Sequence, residues 1–474
     1  MKKSIIYLAV LLAGMSSCKD FLTEEPVLSQ SNALTLAKFS GLADATAALY
    51  SRLNSYYWYG GSHVLISELS GGNARNPISY PGSGRYTQNT KWNYNESSTS
   101  SIWFYSYYTI AAANNVINNL EGKETSEVTT AMINNVKAEA LAMRAFCHFD
   151  LVKMFAQPYT YKKDALGVPI MLVTENGQPA RNTVEEVYTQ IVADLKEAET
   201  LMADNYSREG AIDAAAAWNK TSIQALLSRV YLYMGEWQNA ADYATKVINS
   251  GKYSLLSGAK YLAMFTQNTS AKGDEIIFQM YSSIKNSYWD GSGWEQMSYI
   301  TTPADGGNGS ADVCASEDLI ALFEEGDIRL NLYALMNNTD WFTLKYAGKE
   351  GSAVPKENNT PIIRLSEMYL NRAEAVYNGA VISGVTAADD LATLAAKRGI
   401  EAPSPSETAI LEERRRELAF EGHILHDLKR TGNGVVRTDG AGVDVPFPGN
   451  KCAFPIPKSE CDANPNMVQN EFQS

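Results

Sequence analysis

Residues 218–252, WNKTSIQALLSRVYLYMGEWQNAADYATKVINSGK, decide the fold. Leu227 and Tyr231 stand one helical turn apart and give the first half a single apolar face. Gly235 supplies the left-handed residue that ends that helix. Trp237 opens the second half, where Ala240 and Ala244 are small enough to let it close on the first and Val247 continues the inward stripe. A lone helix hairpin cannot bury such faces, so the chain must supply further helices to stack against it.

The spacing is that of one tetratricopeptide unit. Helical periodicity recurs over 32–53, 102–252 and 361–430. A helix from Ile102 carries IWFYSYYTIAAANNVINNL and is stopped by Gly122; its Trp103, Phe104 and Tyr108 follow the helical period and are expected in the core. A further helix runs from about 127 to 155, with Cys147 and His148 as packing residues. Thr183 and Glu186 read as a capping box for the helix that follows. Two stretches, 54–101 and 253–360, lack the period and are rich in Gly, Ser, Asn and aromatic residues. DEIIFQM within the second reads as a short strand. Helices on both sides of each interruption need one another for burial, so residues 18–474 are expected to form one domain, mainly α with little β.

The chain has 474 residues, 45% hydrophobic, enough to bury a large core. Its formal charge of −13 excludes a nucleic-acid backbone as partner. Tyr dominates the aromatic residues, 27 against 14 Phe, which suits wet recognition surfaces. Lys2 and Lys3 precede an apolar run, Ile5 to Ala13, too short to span a bilayer. The run leads into Leu12-Ala13-Gly14-Met15-Ser16-Ser17-Cys18, which resembles the bacterial lipoprotein cleavage box. Residues 1–17 are thus expected to be removed and Cys18 lipidated. Of the remaining cysteines, Cys452 and Cys461 are the best placed to pair, although two free thiols is the favoured reading.

Longer stretches carry a whole-chain resemblance. Cys18 with DFLTEEP, AEALAMRAFCHFDLVKMF, RLSEMYLNRAEAVY, LEERRRELAFEGHILHDLKRTG and FPIPKSECDANPNMVQN together resemble the SusD/RagB-like outer-membrane lipoproteins of Bacteroidetes. The resemblance implies about four tetratricopeptide-like helix pairs packed against a loop-rich part. It implies a lipid-anchored, surface-exposed protein that captures glycan and hands it to a SusC-like TonB-dependent transporter. Some relatives capture peptide instead.

Motifs for catalysis are missing: no nucleophile elbow, phosphate loop or dinucleotide fingerprint occurs in a suitable context. No cofactor is implied. His423 and His426 lack a metalloprotease pattern, so no metal site is assigned. Arg414, Arg415 and Arg416 beside Glu412, Glu413 and Glu417 read as ion pairs along one helix face. The competing function is a helical glycan hydrolase working with two carboxylates.

A sugar site needs flat aromatic faces beside directed hydrogen-bonding groups. Glu68, Arg75, Tyr80, Tyr86, Trp92, Asn93 and Asn95 in the first irregular stretch have that character. Tyr288, Trp289 and Trp294 supply it in the second. Trp92 is expected to be the exposed central platform, with Arg75 and Asn95 as hydrogen-bonding groups and Trp289 or Trp294 as the opposite wall.

Overall fold

A computed structural model describes residues 32–79, 84–211, 213–267, 273–282, 297–302, 309–349 and 357–472. Helices of eight residues or more are, in chain order, α1 (Phe39–Leu53), α2 (Ser62–Gly71), α3 (Ser100–Ile117), α4 (Thr130–Phe155), α5 (Val184–Leu201), α6 (Lys220–Met234), α7 (Trp237–Asn249), α8 (Leu365–Tyr377), α9 (Ala387–Arg398), α10 (Glu407–Leu418) and α11 (Ile424–Thr431). The strands are β1 (Ala74–Arg75), β2 (Ile276–Met280), β3 (Cys314–Ala315), β4 (Tyr333–Met336), β5 (Asp340–Thr343) and β6 (Thr360–Arg364).

The hairpin quoted above is α6–α7. Asn219 caps α6 reciprocally with Ser222, and Gly235 closes it at φ 72°. Leu227, Ala240, Ala244 and Val247 are buried where the two helices meet. α1 with α3, α4 with α5, and α8 with α9 repeat the arrangement, so four helix pairs stack in succession. Thr183 and Glu186 form the expected capping box at α5. One hydrophobic cluster runs from Leu42 to Phe472.

Two parts of the irregular stretches are more regular than the sequence pattern predicts. α2 lies inside 54–101, and every one of its residues after Ser62 is buried. A helix enclosed on all sides has no polar face, so SHVLISELSG shows no amphipathic period. The start of the 361–430 helical region is instead β6, which pairs antiparallel with the expected strand β2. Its neighbouring Ile362 and Ile363 are β-branched and buried. A second, four-stranded sheet, ordered β1-β3-β5-β4, joins the first irregular stretch to the second.

The arginine-rich stretch is corrected as well. Arg416 does pair with Glu413 along α10, at 2.7 Å. Arg414, Arg415 and Glu417 instead reach groups on other elements, and Glu412 lines a groove beside α11. Glu417 takes Arg364 at 2.9 Å, Arg398 at 2.8 Å and Arg329 at 3.2 Å. Arg364 also reaches Glu275 and Glu421, and Arg414 reaches Asp427. Burial alone would raise the Glu417 pKa, but Arg398 and Arg364 outweigh burial and hold it well below the carboxylate range. These are buried charges that staple α10 to β2, β6 and α9, so surface pair energies do not describe them.

Cys147, Cys314, Cys452 and Cys461 are free thiols. Cys18 lies outside the described residues. No helix among the described residues is long and apolar enough to cross a membrane.

Candidate functional site

The two irregular stretches meet through backbone and charge. β1 pairs with β3, matching Ala74 to Ala315. Arg75 is buried there and donates to the Asp340 carboxylate at 2.8 Å. Asp340 also accepts from the backbone N–H groups of Ile78 and Ser79. Arg75 therefore clamps one loop to the other, and its guanidinium does not face solvent as a ligand group would.

Sequence elements just after α1 set the other side of the junction. In Tyr56-Tyr57-Trp58-Tyr59-Gly60-Gly61 the turn is tight: a Cβ on Gly60 would lie 2.6 Å from the Asn54 carbonyl oxygen. Trp58 and Tyr59 point inward and donate to Asp150 of α4, at 2.9 and 3.2 Å. That anchoring leaves Tyr57 directed outward and 41% exposed. The second stretch comes up against this turn, with Met297 donating to the Gly60 carbonyl and the Thr360 hydroxyl to the Tyr59 carbonyl.

Around the outward turn, aromatic and charged groups converge. The Tyr56 and Tyr86 hydroxyls are 3.0 Å apart. Arg85 lies over the Tyr86 ring and pairs with the Asp312 carboxylate at 2.9 Å. Partial burial opposes the Arg85 charge, yet Tyr86 and Asp312 outweigh it and hold the guanidinium above its ordinary pKa. Tyr57 stacks on Tyr105 of α3 with centroids 5.8 Å apart. The arrangement links a partly exposed ring, through Tyr56, to two facing hydroxyls and a paired guanidinium. These are the groups that grip a sugar's C–H face and its hydroxyls.

The sequence-predicted residues divide into three groups. Tyr86 belongs to the junction, although its ring is mostly buried. Tyr80, Tyr288, Trp289 and Trp294 lie outside the described residues. The rest sit elsewhere. Glu68 is fully buried on α2 and accepts from Asn73 at 2.8 Å and from the Gly422 N–H at 2.9 Å. Burial pushes its pKa up to about 7 against those hydrogen bonds.

Trp92 is the main correction. It is 3% exposed, stacked on Phe454 and Phe472, edge-on to Phe447 and Tyr94, and its indole N–H donates to the Ser70 carbonyl at 3.1 Å. It fastens its loop to the C-terminal tail and presents no free face. Asn93 and Asn95 are exposed on the same loop, where Asn95 Oδ1 accepts from the Ser97 N–H. Phe104 and Tyr108, expected in the core, are 60% and 46% exposed, whereas Trp103 is buried as expected. Arg85 stands in the first irregular stretch among the polar groups the sequence offered, whereas sequence reasoning missed Tyr56, Tyr57 and Asp312. The available signal was the aromatic run ending in two glycines directly after a helix.

The described residues also enclose a groove of about 260 Å³ between α10 and α11, walled by Leu411, Glu412, Ile424 and Leu428. No aromatic ring lines it, so it lacks the stacking surface found at the junction. His423 and His426 are buried, and burial holds both imidazoles well below their ordinary pKa.

The fold and junction can now be set beside known proteins. A family model described as starch-binding and associating with the outer membrane matches residues 20–232, and a SusD-family model matches residues 330–472. The chain belongs to the SusD/RagB-like family. Among solved structures it is similar to a putative sugar binding protein of Bacteroides vulgatus, with a TM-score of 0.81 and 29% identity, covering 92% of this chain and 99% of that one. A SusD-like protein of Formosa agariphila is 26% identical over 99% of both chains. The starch-binding protein SusD of Bacteroides thetaiotaomicron is 26% identical over 70% of this chain and 73% of its own.

Proposed function

We propose that this chain is a cell-surface glycan-binding protein that holds oligosaccharide or polysaccharide at the junction of its two irregular stretches. The observation that carries the reading is the outward Tyr57 ring, linked through Tyr56 and Tyr86 to the Arg85–Asp312 pair. Family membership and the starch-binding and sugar-binding names of two similar proteins support it. Trp289 and Trp294 stay in the proposal on sequence grounds, as further aromatic contacts. Asn93 and Asn95 stay on the same grounds, as exposed polar groups on the Trp92 loop.

The chain binds without cleaving, and delivers its glycan to a SusC-like TonB-dependent barrel at the outer membrane. Residues 18–474 act as one domain, tethered by lipid on Cys18 once residues 1–17 are removed. Support for binding without cleavage comes from the missing catalytic motifs and from relatives described as binding proteins.

Electrophoresis of the purified chain through gels containing plant, algal and host polysaccharides tests the proposal. Retardation by at least one polymer, with no new reducing ends after long incubation, is the expected result. Retardation by none contradicts the binding reading. New reducing ends that vanish on replacing one Asp or Glu favour the hydrolase.

A further inference from the structure

The junction does not end at Tyr57. Tyr56 meets Tyr57 edge-on at 5.2 Å, and Tyr57 stacks on Tyr105. Tyr105 meets Phe104 at 5.5 Å with the rings nearly perpendicular. Phe104 then stacks on Tyr108 at 5.7 Å and 10°. Arg52 of α1 lies 3.8 Å over the Tyr108 ring and donates to the Tyr108 carbonyl at 2.7 Å. The result is an unbroken line of rings from the loop junction onto the outer face of α3.

Roles along the line differ. Tyr108 holds contacts to both Arg52 and Phe104, so it stiffens its neighbour. Phe104 is the most exposed ring of the line and has a stacking partner in Tyr108. One ring, Tyr105, separates it from Tyr57. Each step along the line is comparable to the length of one sugar unit in an extended chain. In a chain whose alternate units are flipped, units two apart turn the same face to one side. Two outward platforms one ring apart therefore suit an extended polymer.

We infer that α3 carries a second glycan subsite, centred on Phe104, that extends the junction and selects extended oligosaccharides over mono- and disaccharides. This rests on the glycan-binding reading above and adds the length of ligand the site takes. Continuity with the Arg85–Tyr57 junction is what assigns glycan to this aromatic face. Tyr hydroxyls and Arg52 along the line supply the hydrogen-bond donors that a sugar chain needs and a purely apolar partner does not.

Phe104→Ala and Phe104→Leu test it, titrated calorimetrically with a disaccharide and a hexasaccharide cut from the polymer that retards the wild-type chain. Both variants should weaken the hexasaccharide about tenfold, because Leu keeps apolar area but loses the flat face. Disaccharide affinity and melting temperature should stay at wild-type values. Three outcomes overturn the subsite while leaving the proposed function standing: equal affinity of wild type and both variants for the hexasaccharide, an equal loss for both ligands, or full rescue by Leu. Rescue by Leu combined with lost co-purification of a barrel transporter in Phe104→Ala would assign the face to a protein partner. A wild-type chain that no polymer retards contradicts the glycan reading itself, and the subsite with it.

Discussion

Replacing Trp92 by alanine separates a structural role from a ligand-binding one. The indole fills a pocket formed by Tyr94, Phe447, Phe454 and Phe472, and only 3% of it is exposed. Truncating a buried Trp to Ala costs about 3–5 kcal/mol in transfer and cavity terms. The Ser70 carbonyl also loses its indole donor, adding about 1 kcal/mol. Trp92→Phe keeps most of the stacking and loses mainly that hydrogen bond, so its cost should fall near the smaller figure. Urea unfolding followed by far-ultraviolet circular dichroism measures both, and the ranking Ala far below Phe below wild type is expected. Glycan affinity of the folded Ala variant should stay within about twofold of wild type, a shift under 0.5 kcal/mol. An unchanged unfolding midpoint together with lost affinity would refute the burial argument and restore Trp92 as a platform.

Three further outcomes follow from the packing. Glu417→Gln leaves Arg364, Arg398 and Arg329 short of their shared buried carboxylate, and should lower unfolding free energy by about 3–5 kcal/mol, with little relief from added salt; a change under about 1 kcal/mol would contradict the network's role. Burial lowers the pKa of His63 to about 4 and of His148 to about 3, and holds His423 and His426 well below their ordinary value. These depressed values stabilise the fold above the ordinary imidazole pKa, and that stability is lost as pH falls from about 6.5 towards 4. Glu68, raised to about 7, works in the opposite sense over part of that range, so Glu68→Gln should steepen the acid loss; a melting temperature flat from neutrality to pH 4 would refute the histidine argument. Gly235→Ala forces a Cβ residue into φ 72° at the end of α6 and should cost about 1 kcal/mol by thermal melt, whereas a stabilised variant would contradict the left-handed cap.

Local chemistry was legible and long-range burial was not. The α6–α7 hairpin was readable because Gly235, Ala240 and Ala244 mark its turn and close approach within a few residues of one another. The Thr183 capping box was readable for the same reason. α2 escaped notice because a helix buried on every side carries no period. Trp92 was misplaced because its partners, Phe447, Phe454 and Phe472, lie more than 350 positions away, while its immediate neighbours are polar. The reverse holds for Phe104 and Tyr108. They follow a helical period, but the contacts of α3 with α1 and α4 leave both rings largely exposed. Glu417 was assigned to helix-face pairs because Arg364, Arg398 and Arg329 are not its neighbours in sequence. The meeting of the two irregular stretches was foreseen, and Tyr86, singled out from the sequence, lies where they meet. The turn that carries Tyr57 was not, because inward Trp58 and Tyr59 and outward Tyr57 look alike in a run of aromatics.

The most direct measurement is a crystal structure of the chain with a bound hexasaccharide of the polymer that retards it. Sugar rings are predicted to stack on Tyr57 and Phe104, with at least one hydroxyl within hydrogen-bond distance of Arg85. Sugar bound instead in the groove between α10 and α11, with Tyr57 and Arg85 untouched, would contradict the account.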